Sequence, residues 1–231
     1  MKKLACILVV AACGGGGSTD VKPTLKLADQ SDAVLSQLIS AAGGTAMFSA
    51  QAQVDQFAGS TDPCPAVAVA GQTVTLTGGC TTSDGVMVAG TATATNSPSW
   101  DQVTYDYTSG TSYQLTGLAL AQSGFTQSYD GRIDISDNFT VYDGDLTSTM
   151  LDVAIRSDIH YECDAGDRTC DLSGSGIELV GAGGVVVSGS VDLNTNTQHY
   201  TLHGTDTLTA TISAGCVAYQ ISGSDRGKVC P

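Results

Sequence analysis

The fold of this protein is decided by the stretch FTQSYDGRIDI, residues 125–135. Its odd-numbered positions, which include Phe125, Tyr129 and Ile133, carry apolar or uncharged side chains, whereas its even-numbered positions carry Thr, Ser, Asp and Arg. Alternation with a period of two is typical of a β-strand with one buried and one solvated face. Strands of this length with one polar face occur in antiparallel sheets.

The same alternation recurs along most of the chain after residue 64. It is found in Ala66–Ala70, Thr73–Thr77, Val103–Tyr107, Leu151–Ile155, Ile159–Tyr161, Val185–Leu193 and Leu208–Ile212. Short clusters of Gly, Asn, Asp and Ser separate these stretches, which is typical of hairpins. We therefore expect a mainly β protein in which residues 64–231 form an antiparallel meander of about a dozen strands, curled into a barrel-like or two-layer sheet.

Charge and length narrow the classes of function. The chain has 231 residues and a formal net charge of −14, with 23 acidic residues against 9 basic ones. This length fits one domain or two small ones. Phosphate backbones would repel so acidic a surface, which excludes a nucleic-acid partner. No run of about eighteen apolar residues occurs, so the sequence predicts no membrane-spanning helix.

A short helical segment is expected at residues 31–58, before the sheet. Ser31 and Asp32 can cap a helix whose apolar residues recur at intervals of three and four up to Ala42. A second helix is expected over residues 45–58. We expect this helical pair to pack on the β domain rather than to present an apolar stripe to a partner.

The first twelve residues have the layout of a secretory signal peptide. Lys2 and Lys3 form a short positive region, Leu4–Val10 is an apolar run, and Ala11-Ala12 supplies small residues just before a cysteine. We therefore expect residues 1–12 to be removed from an exported protein.

The end of this segment, Val10-Ala11-Ala12-Cys13, resembles the lipobox of bacterial lipoproteins. The resemblance covers the first 13 to 20 residues. It implies that the sulfur of Cys13 receives a diacylglycerol, that the chain is cut before Cys13, and that the new amine is acylated. Gly14, where many inner-membrane lipoproteins have an aspartate, implies sorting to the outer membrane. The alternative is an ordinary signal peptide cut near Ala12, with Cys13 incidental.

The residues after Cys13 predict a flexible tether. The Gly/Ser run at residues 14–18 is typical of flexible linkers, and we expect residues 13–30 to form a lipidated tether. Several acyl chains attach a protein to a bilayer far more firmly than one chain does. The expected partner is therefore the membrane of the bacterial envelope, reached through the acyl chains on Cys13.

The cysteines agree with export. With Cys6 removed and Cys13 lipidated, six cysteines remain, and an even number in an exported chain predicts three disulfides. About fifteen connectivities are formally open for six cysteines. Local hairpin geometry favours pairing of nearest neighbours, namely Cys64 with Cys80, Cys163 with Cys170, and Cys216 with Cys230.

Catalytic and metal-binding motifs are scarce. The chain has no nucleophile elbow, no phosphate-binding loop and no zinc-type cysteine spacing. His199 and His203 would lie about 13 Å apart along a strand, too far to share one ion.

The densest group of carboxylates surrounds the loop between Cys163 and Cys170 and consists of Glu162, Asp164, Asp167 and Asp171. Oxygen ligands of this kind can hold Ca²⁺, but a solvated acidic turn is the favoured interpretation, and no cofactor is expected.

These features predict a lipid-anchored lipoprotein of the bacterial envelope with a structural or interaction role. One alternative is a carrier whose curved sheet encloses a lipid or another apolar ligand. A second alternative is a surface hydrolase that uses aspartate carboxylates, which would require two of them to lie about 5–10 Å apart in a cleft.

Overall fold

The computed structural model describes residues 21–42, 45–96, 110–136, 139–150, 153–164, 166–172 and 175–229. A 3-10 turn, Leu27–Asp29, precedes two helices, α1 (Asp32–Ala42) and α2 (Thr45–Ala58). The strands that follow are β1 Ala66–Ala70, β2 Thr73–Thr77, β3 Cys80–Thr81, β4 Met87–Thr95, β5 Thr111–Gln122, β6 Phe125–Ile135, β7 Phe139–Met150, β8 Val153–Asp164, β9 Thr169–Asp171, β10 Ser175–Leu179, β11 Gly183–Asp192, β12 Thr197–His203, β13 Thr207–Ser213, β14 Cys216–Ile221 and β15 Ser224–Val229.

All these strands belong to one antiparallel sheet. Their order in the sheet follows the chain from β1 to β15, apart from two short strands. Strand β3 adds to β4, and β9 lies between β8 and β11, next to the start of β10. The predicted mainly β, antiparallel meander is therefore confirmed.

Alternation along the strands assigns one face of the sheet to the core. In β6 the side chains of Tyr129, Ile133 and Ile135 are buried, while Asp130 and Arg132 lie on the opposite face. The same pattern runs through β8, one strand of 12 residues that contains Ile159–Tyr161 and the part of the predicted stretch Leu151–Ile155 that the structure describes. We call the face that carries the buried tyrosines and aliphatic residues the inner face, and the opposite one the outer face.

The two helices form where the sequence predicts them, and they pack on the inner face. Leu35, Leu38 and Ile39 of α1 are buried, as is Val54 of α2. Burial of this apolar stripe, rather than helix propensity, stabilises such short helices. In the described part of the chain, no helix is long and apolar enough to cross a membrane.

Tyrosines on three strands bind the helices through their hydroxyl groups. Tyr113 of β5 donates to Asp55 Oδ1 at 2.9 Å, and Tyr142 of β7 donates to Gln51 Oε1 at 3.0 Å. Tyr219 of β14 donates to Asp32 Oδ1 at 2.8 Å. Strands β5 and β14 lie far apart in strand order, and both are tied to the helical pair by these hydrogen bonds.

The prediction that residues 13–30 form a flexible tether is wrong for residues 21–30, which pack on the sheet. The backbone N–H groups of Thr24 and Leu25 donate to Gly184 O at 2.9 Å. The N–H groups of Leu27 and Ala28 donate to the Asp206 carboxylate at 2.6 and 2.8 Å. Leu25 and Leu27 are buried, so the gain from covering these leucines outweighs the entropy of a free linker.

Two of the three predicted disulfides are confirmed. Cys64 is bonded to Cys80, and Cys163 is bonded to Cys170, its direct cross-strand neighbour between β8 and β9. Cys216 is also disulfide-bonded. Its predicted partner Cys230 lies outside the described residues, as do the proposed lipidation site Cys13 and the signal peptide. The pairing of Cys216 with Cys230 stays a prediction.

Candidate functional site

A cavity of about 360 Å³ opens on the outer face near the end of β8. It lies where β9 and β10 follow each other between β8 and β11. Its walls are formed by Phe139, His160, Glu162, Asp164, Thr169, Cys170, Asp171 and Ser190. The disulfide between Cys163 and Cys170 ties the two strands that flank it.

Three of the four predicted calcium ligands reach this cavity. Glu162, Asp164 and Asp171 line it, whereas Asp167 lies exposed in the turn that follows β8. Asp164 Oδ1 accepts the backbone N–H groups of Gly166 and Asp167 at 2.7 and 3.0 Å. That carboxylate therefore stabilises its own turn, as aspartates in turns commonly do.

The described residues contain no group of three or more His, Cys, Asp or Glu side chains that could hold a metal ion. His199 and His203 bind separate threonines: His199 Nδ1 lies 3.2 Å from Thr211 Oγ1, and His203 Nδ1 lies 3.3 Å from Thr207 Oγ1.

The outer face also carries a row of aspartates that sequence reasoning did not bring together. Asp130 of β6 lies opposite Asp145 of β7, and Asp145 lies opposite Asp158 of β8. Side chains in such cross-strand pairs have Cβ atoms about 5 Å apart. The alternation of apolar and polar residues along each strand places these aspartates on the outer face. It does not give the register between the strands, which is what aligns the three side chains.

Burial raises the pKa of two carboxyl groups in this row, those of Asp145 and Asp158. Burial is the main cause of the raised pKa of Asp145. The positive charge of Arg156 lowers this pKa, and the negative charges of Asp130 and Asp143 raise it further. Burial is also the main cause of the raised pKa of Asp158, and the negative charges of Asp145 and Asp143 raise it further. Asp145 Oδ1 is buried without a hydrogen-bond partner among the described residues, which agrees with a poorly solvated carboxylate.

The inner face, by contrast, is filled. One continuous cluster of buried side chains joins both helices to strands from β2 to β14. Its largest members include Tyr113, Tyr129, Tyr161 and Tyr200. Burial raises the pKa of the Tyr161 phenol to about 12, as expected for a hydroxyl in an apolar interior.

No family model, no curated protein and no solved structure matches this chain.

Proposed function

We propose that the protein is a lipid-anchored lipoprotein of the bacterial envelope, sorted to the outer membrane, with a structural or interaction role. The anchor rests on the lipobox-like sequence that ends at Cys13. The role rests on one structural observation, namely that the helices and the large side chains of the sheet fill the inner face as a packed core. The predicted partners are the membrane, through acyl chains on Cys13, and a protein bound at the surface.

The packed core weakens the carrier alternative. A ligand-carrying sheet presents its inner face to a cavity, whereas here α1 and α2 lie against that face and tyrosine hydroxyls bind their polar side chains. An apolar ligand would have to displace buried Leu35, Leu38 or Val54.

The hydrolase alternative keeps one supporting observation. Glu162 of β8 lies directly opposite Asp171 of β9, and both line the described cavity together with Asp164. Two carboxylates at such a distance in a cleft are what acid–base hydrolysis requires, so this alternative is the second candidate. Asp145 and Asp158 also lie opposite each other, but they do not line this cavity.

Because the segment from Val21 onward packs on the sheet, the tether between Cys13 and the folded domain is shorter than predicted. Val21 packs against Gly176 and Gly184, so eight residue steps separate Cys13 from the folded domain. Even fully extended, they span at most about 29 Å. The proposed anchor would therefore keep the domain close to the membrane surface.

The test is the substitution Cys13→Ala. We expect this variant to move from the membrane fraction to the soluble fraction and to lose labelling by a fatty-acid probe, because its sulfur acceptor is gone. Cys6→Ala is the matched control and should remain labelled and membrane-bound. A Cys13→Ala variant that still sediments with membranes and carries lipid would overturn the proposed anchor.

A further inference from the structure

Strand β1 forms the first edge of the sheet, and no described strand or helix covers its outer side. All five of its residues are exposed, and among the described residues it pairs with β2 alone. Val67 and Val69 lie opposite the buried Leu76 and Val74, so they extend the apolar inner face. Their side chains are nevertheless 38% and 67% exposed.

Backbone geometry points the hydrogen-bonding groups of these two valines outward. The β1–β2 hairpin has a two-residue loop that closes between Ala70 and Thr73, with Gly71 at φ 61°. In such a hairpin the closing pair and every second residue before it bond to the partner strand. The N–H and C=O groups of Val67 and Val69 therefore point away from β2, toward the free edge.

This edge lacks the usual protection against association. Natural edge strands carry charged residues, proline or a bulge, and β1 has none of these inside it. Residues 63–100 contain a single charged residue, Asp84, in a chain with 23 acidic residues. Strand β15, at the opposite edge, carries Asp225, Arg226 and Lys228.

We propose that β1 pairs antiparallel with β1 of a second copy of this chain, about a two-fold axis at Ala68. In that register each Val67 lies opposite a Val69, and their outward N–H and C=O groups form four hydrogen bonds across the axis. The sequence AVAVA is the same read in either direction, so it is complementary to itself.

The distribution of charge on this chain favours a second copy as the occupant of the β1 edge over a cationic partner. A cationic partner would favour the acidic outer face over this neutral strand, whereas a second copy of an acidic chain meets least repulsion where charge is lowest. Pairing of β1 with β15 would set apolar valines against charged residues and would build open chains of molecules. Symmetric pairing closes at the dimer.

The expected dimer is weak. Pairing of five residues buries less than the 1,200–2,000 Å² or so of a standard interface, so it should form at high protein concentration and strengthen as salt screens the acidic surfaces. The proposal names a partner for the interaction role, and it does not depend on the anchor at Cys13.

The test is Ala68→Cys in the full chain. Residues that meet at the axis, in a pair without backbone hydrogen bonds between them, have Cα atoms about 4.5 Å apart, which is within reach of a disulfide. We expect mild oxidation to give a dimer linked through the introduced thiols of both copies, identified by peptide mapping with the native disulfides intact.

Two matched variants make the register testable. Ala66→Cys alone should stay monomeric, because its two copies lie about 13 Å apart along the strands. A mixture of Ala66→Cys and Ala70→Cys should cross-link, since these positions lie opposite each other. Adding Val69→Lys to Ala68→Cys should reduce the cross-linked fraction about tenfold, whereas Thr77→Lys, which adds the same charge on β2, should leave it unchanged.

Equal cross-linking of Ala66→Cys and Ala68→Cys would overturn the register. A chain that remains monomeric at high concentration, with no cross-link in the Ala68→Cys variant, would overturn self-pairing and leave an unrelated extended strand as the occupant. Because the same result is expected with Cys13→Ala, failure of the anchor and failure of the dimer are distinguishable.

Discussion

At the residue scale, the carboxylate of Asp145 is partly buried on the outer face of the sheet, where its negative charge is poorly solvated. Its Oδ1 atom is buried without a hydrogen-bond partner among the described residues, and Asp130 and Asp158 flank it on the neighbouring strands. Burial raises its pKa above the ordinary 3.8. The folded state therefore binds a proton at Asp145 more tightly than the unfolded chain does.

This shift fixes the sign of the pH dependence. A carboxyl whose pKa is raised on folding contributes stability that is fully present below pH 3.8 and is lost as pH rises through the folded pKa. We expect Asp145→Asn to raise the free energy of unfolding at pH 7 by no more than about 1 kcal/mol after solvent screening, and to have little effect near pH 3. Urea unfolding at both pH values measures this difference.

The control for Asp145→Asn is Asp167→Asn, which removes the same charge from an exposed turn. Equal stabilisation by both variants at pH 7 would show that net charge, rather than burial of Asp145, is responsible.

At the scale of elements, hydrogen bonds from tyrosines of the sheet fix the two helices in place, and the bond to Gln51 of α2 is buried. Gln51 of α2 is 4% exposed and accepts a hydrogen bond from the Tyr142 hydroxyl of β7. Tyr142 also packs edge-to-face on Tyr161 of β8, with ring centroids 5.8 Å apart. The apolar contacts are not directional, so hydrogen bonds of this kind set the position of α2 on the inner face.

Removing that hydroxyl should loosen α2. We expect Tyr142→Phe to lower the free energy of unfolding by about 1–3 kcal/mol, because the buried Gln51 oxygen loses a donor. Chemical denaturation measures this loss. Tyr200→Phe is the control, since its hydroxyl donates to Gln198 Oε1 of the same strand and not to a helix. A larger loss for Tyr200→Phe than for Tyr142→Phe would contradict this account of helix docking.

At the scale of the whole molecule, the excess of acidic residues opposes compactness. Removal of residues 1–12 would take away Lys2 and Lys3 and no acid, which leaves 7 basic against 23 acidic residues and a net charge of −16. Repulsion among these charges destabilises the folded state and is screened over about 10 Å at 0.1 M salt.

We expect the Tm to rise gradually with NaCl, and calcium to add little once ionic strength is matched, as measured by thermal unfolding. A specific calcium site would instead stabilise by mass action and saturate. If calcium gave a saturable rise that was lost in the Asp164→Asn, Asp167→Asn double variant, the acidic loop beside the cavity would be a genuine calcium site.

Local patterns determined much of this protein. The period of two, the helices at 32–42 and 45–58, and the disulfides of Cys64 with Cys80 and Cys163 with Cys170 all follow from residues near one another in sequence. The carboxylates around the Cys163–Cys170 loop were found for the same reason, and three of them line the cavity. Interactions of this range need no knowledge of the rest of the chain.

Tertiary structure alone decided the remainder. Asp143-Gly144-Asp145 has the composition of a turn, yet it continues β7, because Gly144 lies against Gly131 of β6 and a Cβ there would approach the Gly131 Cα to 2.7 Å. Docking of residues 21–30 likewise depends on Asp206, about 180 positions later in the chain. The aspartate row depends on the register between the neighbouring strands β6, β7 and β8, and alternation within one strand does not determine that register. The hydrogen bonds from β5 and β14 to one helical pair join residues far apart in the chain.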